Sequence, residues 1–332
     1  MMQLRSTFPE PTSGIRHTEP ARLPLDPGPP AASGEVAKFI RGLLIAILLL
    51  GLSITPGAAA EKLKAVASFS ILADLVKEVG GNHVDVTAIV GPDGDAHVFQ
   101  PSPQDAKAVA DANIVVINGL GLEGWMARLI QSSGTKAPVV VASKGVRPLQ
   151  GEGEDKGKAD PHAWQSIANA KIYVGNIRDG LISADPADKA DYEANAKAYL
   201  GKLDQLEAQV KAAIASIPPK NRKIITTHDA FGYFGRAYGM AFIAPQGVST
   251  ETEPSAKDVA KIIRQIKAQR VPAVFLENIS DDRLMQQIAR ESGAKVGDKL
   301  YSDALSKPGA GADTYIAMMQ NNIAAFTKAL RE

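Results

Sequence analysis

Cysteine is absent from all 332 residues. That excludes disulfide bridges, thiolate nucleophiles and thiolate metal ligands, and it leaves no acceptor for a thioether-linked lipid. Net charge is nearly absent as well: 37 basic residues stand against 36 acidic ones, and five of the former and four of the latter lie in the first 60, so the remainder is neutral. No basic field is available to hold nucleic acid or an anionic membrane surface. Long apolar runs are also missing. The run from Gly42 to Ile54 would reach about 20 Å as a helix at roughly 1.5 Å per residue, short of the bilayer core. Histidine is scarce too, with five residues in the chain, so the setting of each one is informative.

The short apolar run has its own reading. Lys38 and Arg41 flank its start, and Ala58, Ala59 and Ala60 close the segment just before Glu61. A charged start, an apolar middle and small residues at the end make a secretion signal, so residues 38–60 are expected to be cleaved, with an uncleaved anchor as the alternative. Residues 1–37 are rich in proline and lack periodicity, as a disordered leader or an over-long start does, and translation is expected to begin near Val36. The mature protein is then expected in a periplasm-like space, soluble and not lipid-anchored.

What is present is enough apolar sequence for two α/β domains, with 45% hydrophobic residues. Apolar runs at 63–69, 84–90, 113–118 and 138–142 alternate with amphipathic stretches at 70–79, 102–111 and 121–133. The alternation restarts with KIITT at 223–227, MAFIA at 240–244, AVFLE at 273–277 and AKVGDKLY at 294–301, with helical patterns at 254–269, 281–292 and 312–330. Short runs separated by helices predict parallel strands joined by right-handed crossovers. Between the two units, Tyr192, Ala196, Tyr199, Leu203, Leu206, Val210, Ala213 and Ile217 recur at steps of four and three, and Pro218-Pro219 stops the pattern. This predicts one helix over 186–217 that packs along both units as a spine, in preference to a coiled coil, because its seam carries alanine and tyrosine in place of leucine. The expected organisation is a first α/β lobe over 61–185, the linking helix 186–217 and a second lobe over 218–332.

Four residues stand out at the edges of loops: His97 in GDAHVFQPSP, His162 in DPHAW, His228 in ITTHDAFGYF and Asp303 in LYSDALS. Each has an ordinary alternative. His97 could be solvated loop polarity, His162 a helix-start residue, His228 a hydrogen-bonded core imidazole and Asp303 a turn former. Yet two come from each unit, as a ligand held between two lobes requires, and imidazole nitrogen with one carboxylate oxygen suits a borderline divalent ion such as zinc. Asp160 is placed to cap the next helix or accept from the His162 ring and Trp164 to shield the pocket, while Glu277, at the tip of AVFLE, is a weaker candidate, either an ordinary strand-end carboxylate or a support for the site from behind. His17 falls in the leader, and His83 reads as a surface residue.

From about residue 61 to 330 the chain resembles the metal-binding solute receptors of bacterial ABC importers, the zinc and manganese group. GDAHVFQPSPQD, DPHAW, THDAFGYFGRAYG, FLENIS and YSDALS carry the resemblance, in that order. It implies two similar α/β lobes with parallel sheets, one long rigid helix between them and a metal cleft, with His97, His162, His228 and Asp303 as the metal ligands. It further implies a monomer that is not an enzyme, and a membrane permease and ATPase as partners. Manganese-preferring relatives commonly carry glutamate where this chain has His228, so Zn²⁺ is the expected ion, with Mn²⁺ the alternative. The stretch 150–160, QGEGEDKGKAD, lacks the histidines that many zinc receptors carry there, which weakens the zinc assignment. Affinity is expected to fall as pH drops below the histidine range near 6.5. The rival reading, a zinc hydrolase, needs an open coordination place and a nearby base; no His-Glu-x-x-His motif occurs, and Asp303 would close the site. A surface adhesin ranks last, since the chain has no evident means of surface display.

Overall fold

Two runs of strand and helix repeat one topology. The computed structural model describes residues 27–28, 61–151 and 155–331, so the segments read as leader and secretion signal lie outside the described residues apart from 27–28. In the first half β1 (Leu63–Phe69), α1 (Ser70–Gly80), β2 (Val84–Val90), α2 (Pro103–Ala110), β3 (Ile114–Ile117), α3 (Met126–Ser133), β4 (Val139–Val141) and α4 (Ile167–Ala184) follow in turn. Then comes α5 (Lys189–Ala215). The second half holds β5 (Lys223–Ile225), α6 (Gly232–Tyr238), β6 (Ala241–Ile243), α7 (Ala256–Gln269), β7 (Ala273–Val274), α8 (Arg283–Ser292), β8 (Lys295–Val296) and α9 (Tyr315–Leu330).

The strands form two sheets of four, ordered β2-β1-β3-β4 and β6-β5-β7-β8, and every pairing is parallel. β1 is central and its last five residues are buried, which is why it reads as a continuous apolar run without alternation. The order places β1 beside β3 and β5 beside β7 at the centres of their sheets. Loops leaving the carboxyl ends of such strands are where open α/β sheets bind ligands.

Local chemistry sets the element boundaries. At α2, Ser102 and Asp105 form a reciprocal capping box and Pro103 occupies the first turn, so the loop before it ends sharply. Gly134 closes α3 and Gly293 closes α8, both in left-handed backbone that a side chain would resist. The second sheet is more meagre than its sequence suggests. AVFLE yields a strand of two residues and AKVGDKLY another of two, because beyond them single bridges such as Glu277–Leu300 replace a continuous ladder.

The predicted spine is present as a short 3-10 turn at Pro186–Asp188 followed by the 27 residues of α5. It packs against α1 and α4 of the first half and α9 of the second. Tyr192, Ala196, Tyr199, Leu203, Leu206 and Val210 face inward as expected, but the seam continues through Ile214, and Ala213 is only half-buried. A straight helix drifts against a strict four-three pattern, and the larger side chain takes the buried position. Among the described residues, no helix is long and apolar enough to cross a membrane.

Candidate metal centre

Four loops at strand ends deliver four side chains to one point. β2 runs into residues 91–102, where Asp95 Oδ1 accepts the backbone N–H of His97 at 2.8 Å and Trp125 Nε1 donates to the Ala96 carbonyl at 2.8 Å. These bonds fix an irregular loop that has no ladder of its own. Asp93, whose φ of 57° is in the left-handed region, donates its N–H to Leu305 O at 2.9 Å and accepts from Asn278 Nδ2 at 3.0 Å, tying the loop to the second half.

After β4 the chain reaches Asp160 and His162. Asp160 Oδ1 accepts both the backbone N–H of His162 at 2.9 Å and its ring Nδ1 at 2.8 Å. Of the two roles expected for Asp160, the structure uses the one on the imidazole. Gly232 makes room for this carboxylate, since a Cβ there would lie 2.7 Å from Asp160 Oδ2. Trp164 is fully buried beside His162, with ring centroids 5.3 Å apart.

His228 follows β5. Glu277, beyond β7, holds it from behind: Oε1 accepts the backbone N–H groups of Thr227 at 2.7 Å and His228 at 3.0 Å, and Oε2 faces His228 Nδ1 at 2.6 Å. Asp303 comes from the segment after β8. Trp164 Nε1 and Gln165 Nε2 donate to the Ser302 carbonyl at 3.0 and 2.8 Å, so residues next to His162 also position the backbone of Asp303.

Asp303 Oδ2 lies 3.0 Å from His97 Nε2, 3.2 Å from His228 Nε2 and 3.6 Å from His162 Nε2. His162 Nε2 is 3.3 Å from the Nε2 atoms of both other histidines. One ligand atom from each of the four residues falls within 4.8 Å of the rest. His162, His228 and Asp303 are fully buried and His97 is 6% exposed, so only His97 touches the outside. With Nδ1 of His162 and His228 directed at carboxylates, their Nε2 lone pairs are the ones left to face inward.

Charge balance explains how such a cluster persists in a buried place. Burial opposes a proton on His162, but Asp303 and Asp160 outweigh it and hold the imidazole up at about 9, not near the 6.5 expected from sequence. His228 is raised well above its usual range against the same opposition, by Glu277 and Asp303. Burial pushes the Asp303 carboxyl up, yet His162 and His228 hold it well below the usual carboxylate range. Asp303 Oδ1 is buried with no hydrogen-bond partner. Its lone pairs are therefore unused, and a cation beside Oδ2 would be within their reach.

Each of the four residues singled out in the sequence therefore meets the others, and Glu277 stands behind one of them. His83 stays apart, as expected, but it is not simply solvated: Nδ1 faces Asp188 at 2.7 Å and Nε2 faces Asp191 at 2.9 Å, each ring nitrogen engaged by a separate carboxylate. Asp95, Gln165 and Ser302 were missed. The repeated Asp-x-His at 95–97 and 160–162 was the available signal for Asp95; the other two had none.

The sequence profile of the family described as "Zinc-uptake complex component A periplasmic" matches residues 65–329. Among curated proteins, the manganese-binding lipoprotein MntA of Halalkalibacterium halodurans is 36% identical over 272 residues, covering 82% of this chain and 90% of that one. An iron ABC transporter substrate-binding lipoprotein, MtsA of Streptococcus pyogenes, is 33% identical over 307 residues, covering 90% and 99%. Among solved structures, the periplasmic zinc binding protein TroA of Treponema pallidum superposes with a TM-score of 0.78 at 29% identity, over 82% of this chain and all of that one. A manganese-bound mutant of the periplasmic metal binding protein from Candidatus Liberibacter asiaticus gives 0.75 at 28% identity, over 81% of this chain and all of that one.

Proposed function

Because the chain belongs to the family of periplasmic zinc-uptake components, we propose that His97, His162, His228 and Asp303 hold a divalent cation, zinc first, for delivery to the permease of an ABC importer. The family's members are receptors and not enzymes: they bind metal ions outside the cytoplasm and hand them to permease and ATPase subunits. The observation that carries the ligand assignment is the meeting of three Nε2 atoms at Asp303 Oδ2, all from strand-end loops and nearly closed to solvent. Three nitrogens and one oxygen make a four-coordinate zinc site, and a fourth protein donor takes the place a hydrolytic water would need. An ion entering this cluster replaces the protons that otherwise offset Asp303.

A second reading, manganese as the cargo, is favoured by one atom. Asp303 Oδ1 is buried without a partner and would add a second oxygen, raising coordination number and oxygen content in the direction Mn²⁺ favours. The relatives named for manganese fit that reading as well. Metal content of protein recovered from cells supplied with both ions separates the two, because equilibrium competition favours Zn²⁺ over Mn²⁺ at such donors whichever ion is the cargo. Wild type is expected to prefer Zn²⁺ and His228→Glu to move toward Mn²⁺; a wild-type preference for Mn²⁺ overturns the zinc assignment.

The same reading puts the lobes at 61–185 and 218–332 with 186–217 between them, and it puts the mature protein free in the periplasm. The relatives are named lipoproteins, whereas this sequence has no cysteine to carry a lipid. Incorporation of labelled palmitate into the mature protein would refute the second point.

A further inference from the structure

The aspartates two positions before His97 and His162 are used differently. Asp160 directs one oxygen to both the backbone and the ring of its own histidine. Asp95 holds only the backbone N–H of His97 with Oδ1, and its Oδ2 accepts from Thr250 Oγ1 at 2.6 Å, 155 residues away. The ring of His97 consequently lacks the carboxylate behind Nδ1 that His162 and His228 have, and no partner for that atom occurs among the described residues.

Thr250 lies between β6 and α7, in a loop anchored to its own half. Asp229 N–H donates to Gly247 O at 3.1 Å, and Gln246 Nε2 donates to the carbonyls of Thr250 and Thr252 at 3.1 and 3.0 Å. The first half reaches this loop at a second point as well, where Val248 N–H donates to Asp155 Oδ2 at 2.9 Å. Beside this junction an open cavity of ≈ 350 Å³ is lined by His97, Phe99, Trp125, Arg128 and Glu251. His97 is the only one of the four convergent residues on its wall. The remaining three are fully buried, so ligand exchange has one open side.

We propose that Asp95 is a positioning residue that governs the rate of metal release by tying His97 to the loop that carries Thr250. With the Asp95–Thr250 bond made, the backbone of His97 is held from both halves and its unsupported ring stays on the ion. When the bond opens, His97 leaves first, toward the cavity, while Glu277 and Asp160 keep the other two imidazoles in place. The proposal rests on the metal reading of the four residues and adds the route and the control point.

The test is release of bound Zn²⁺ into excess chelator, followed by stopped flow. Thr250→Val is expected to bind one ion per chain as wild type does and to release it about tenfold faster, the effect of losing one hydrogen bond to a charged acceptor. Thr250→Ser, which keeps the hydroxyl, should restore the slow rate. The Asp95→Ala and Thr250→Val double variant should release no faster than Asp95→Ala alone, because both remove the same link. A Thr250→Val rate within twofold of wild type, or a Thr250→Ser rate as fast as Thr250→Val, overturns the proposal. His162→Ala checks the underlying reading: undiminished binding there defeats the metal centre itself, whereas lost binding there with unchanged release in Thr250→Val defeats only the coupling.

Discussion

Asp74 is a buried carboxylate with a backbone partner and, among the described residues, no salt bridge. It sits on α1, and its Oδ2 accepts the N–H of Tyr315 at 2.8 Å, where α9 begins with unsatisfied donors. That bond favours the charged form, yet burial outweighs it and pushes the carboxyl up to about 6 from 3.8. A carboxyl raised in the folded state binds protons more readily there than in the unfolded chain, so its contribution to stability is full below about pH 4 and is lost as pH rises through 6. Asp74→Asn keeps an acceptor for Tyr315 and removes the charge. Denaturant unfolding at pH 8 should find it more stable than wild type by on the order of 2–3 kcal/mol, with the difference vanishing near pH 4. A difference that does not change with pH would show that the charge is not the cause. Gly232 supports a second residue-level prediction. A methyl there would press on Asp160 Oδ2 at 2.7 Å, so Gly232→Ala should weaken metal affinity about tenfold by displacing the carboxylate behind His162. Isothermal titration with Zn²⁺ reads this directly, and an unchanged affinity would mean that Asp160 accommodates the methyl without moving His162.

At the level of elements, α5 separates packing from propensity. Leu203 is fully buried in its seam, and Leu203→Ala should cost about 2–5 kcal/mol in denaturant unfolding. Gly201, two residues away, is exposed, and a Cβ there would meet nothing within 4 Å. Gly201→Ala should therefore stabilise the protein by about 0.5–1 kcal/mol. A destabilising Gly201→Ala would mean that the helix is under a constraint at that turn. The seam itself was legible because helical periodicity repeats over many residues, and so were the strands of the first half, whose apolar runs are long and bounded by turns. The second half was harder to read. FLE and DKLY look like strand, but their backbone groups meet the opposite segment at isolated bridges, a matter of tertiary pairing that local pattern does not encode. Likewise the four convergent residues could be found from their settings at the edges of loops, while Thr250 could not, because its role exists only through a residue 155 positions distant.

Across the whole molecule, one hydrophobic core runs through both halves. It joins Phe69 and Trp164 of the first half, Tyr199 and Leu203 of α5, and Phe231, Tyr315 and Phe326 of the second. A smaller cluster under α7 and α8, with Ile225, Ile262 and Met285, belongs to the second half alone. A wide rotation of one half against the other would have to part the larger core along α5 and α9, which close-packed interiors resist. Polar links between loops of the two halves, among them Asp93 to Asn278 and Leu305, Asp95 to Thr250 and Asp155 to Val248, can open without such damage. Metal capture and release should therefore proceed by rearrangement of loops, with the helices staying in place. Hydrogen exchange followed by mass spectrometry checks this at peptide level. Adding Zn²⁺ should slow exchange in residues 91–102, 226–231, 244–252 and 299–306, and leave the buried seam of α5 and the body of α9 as slow as they are without the ion. If exchange along α5 and α9 changes as much as in those loops, the halves move as rigid bodies, and the core that joins them is softer than its packing implies.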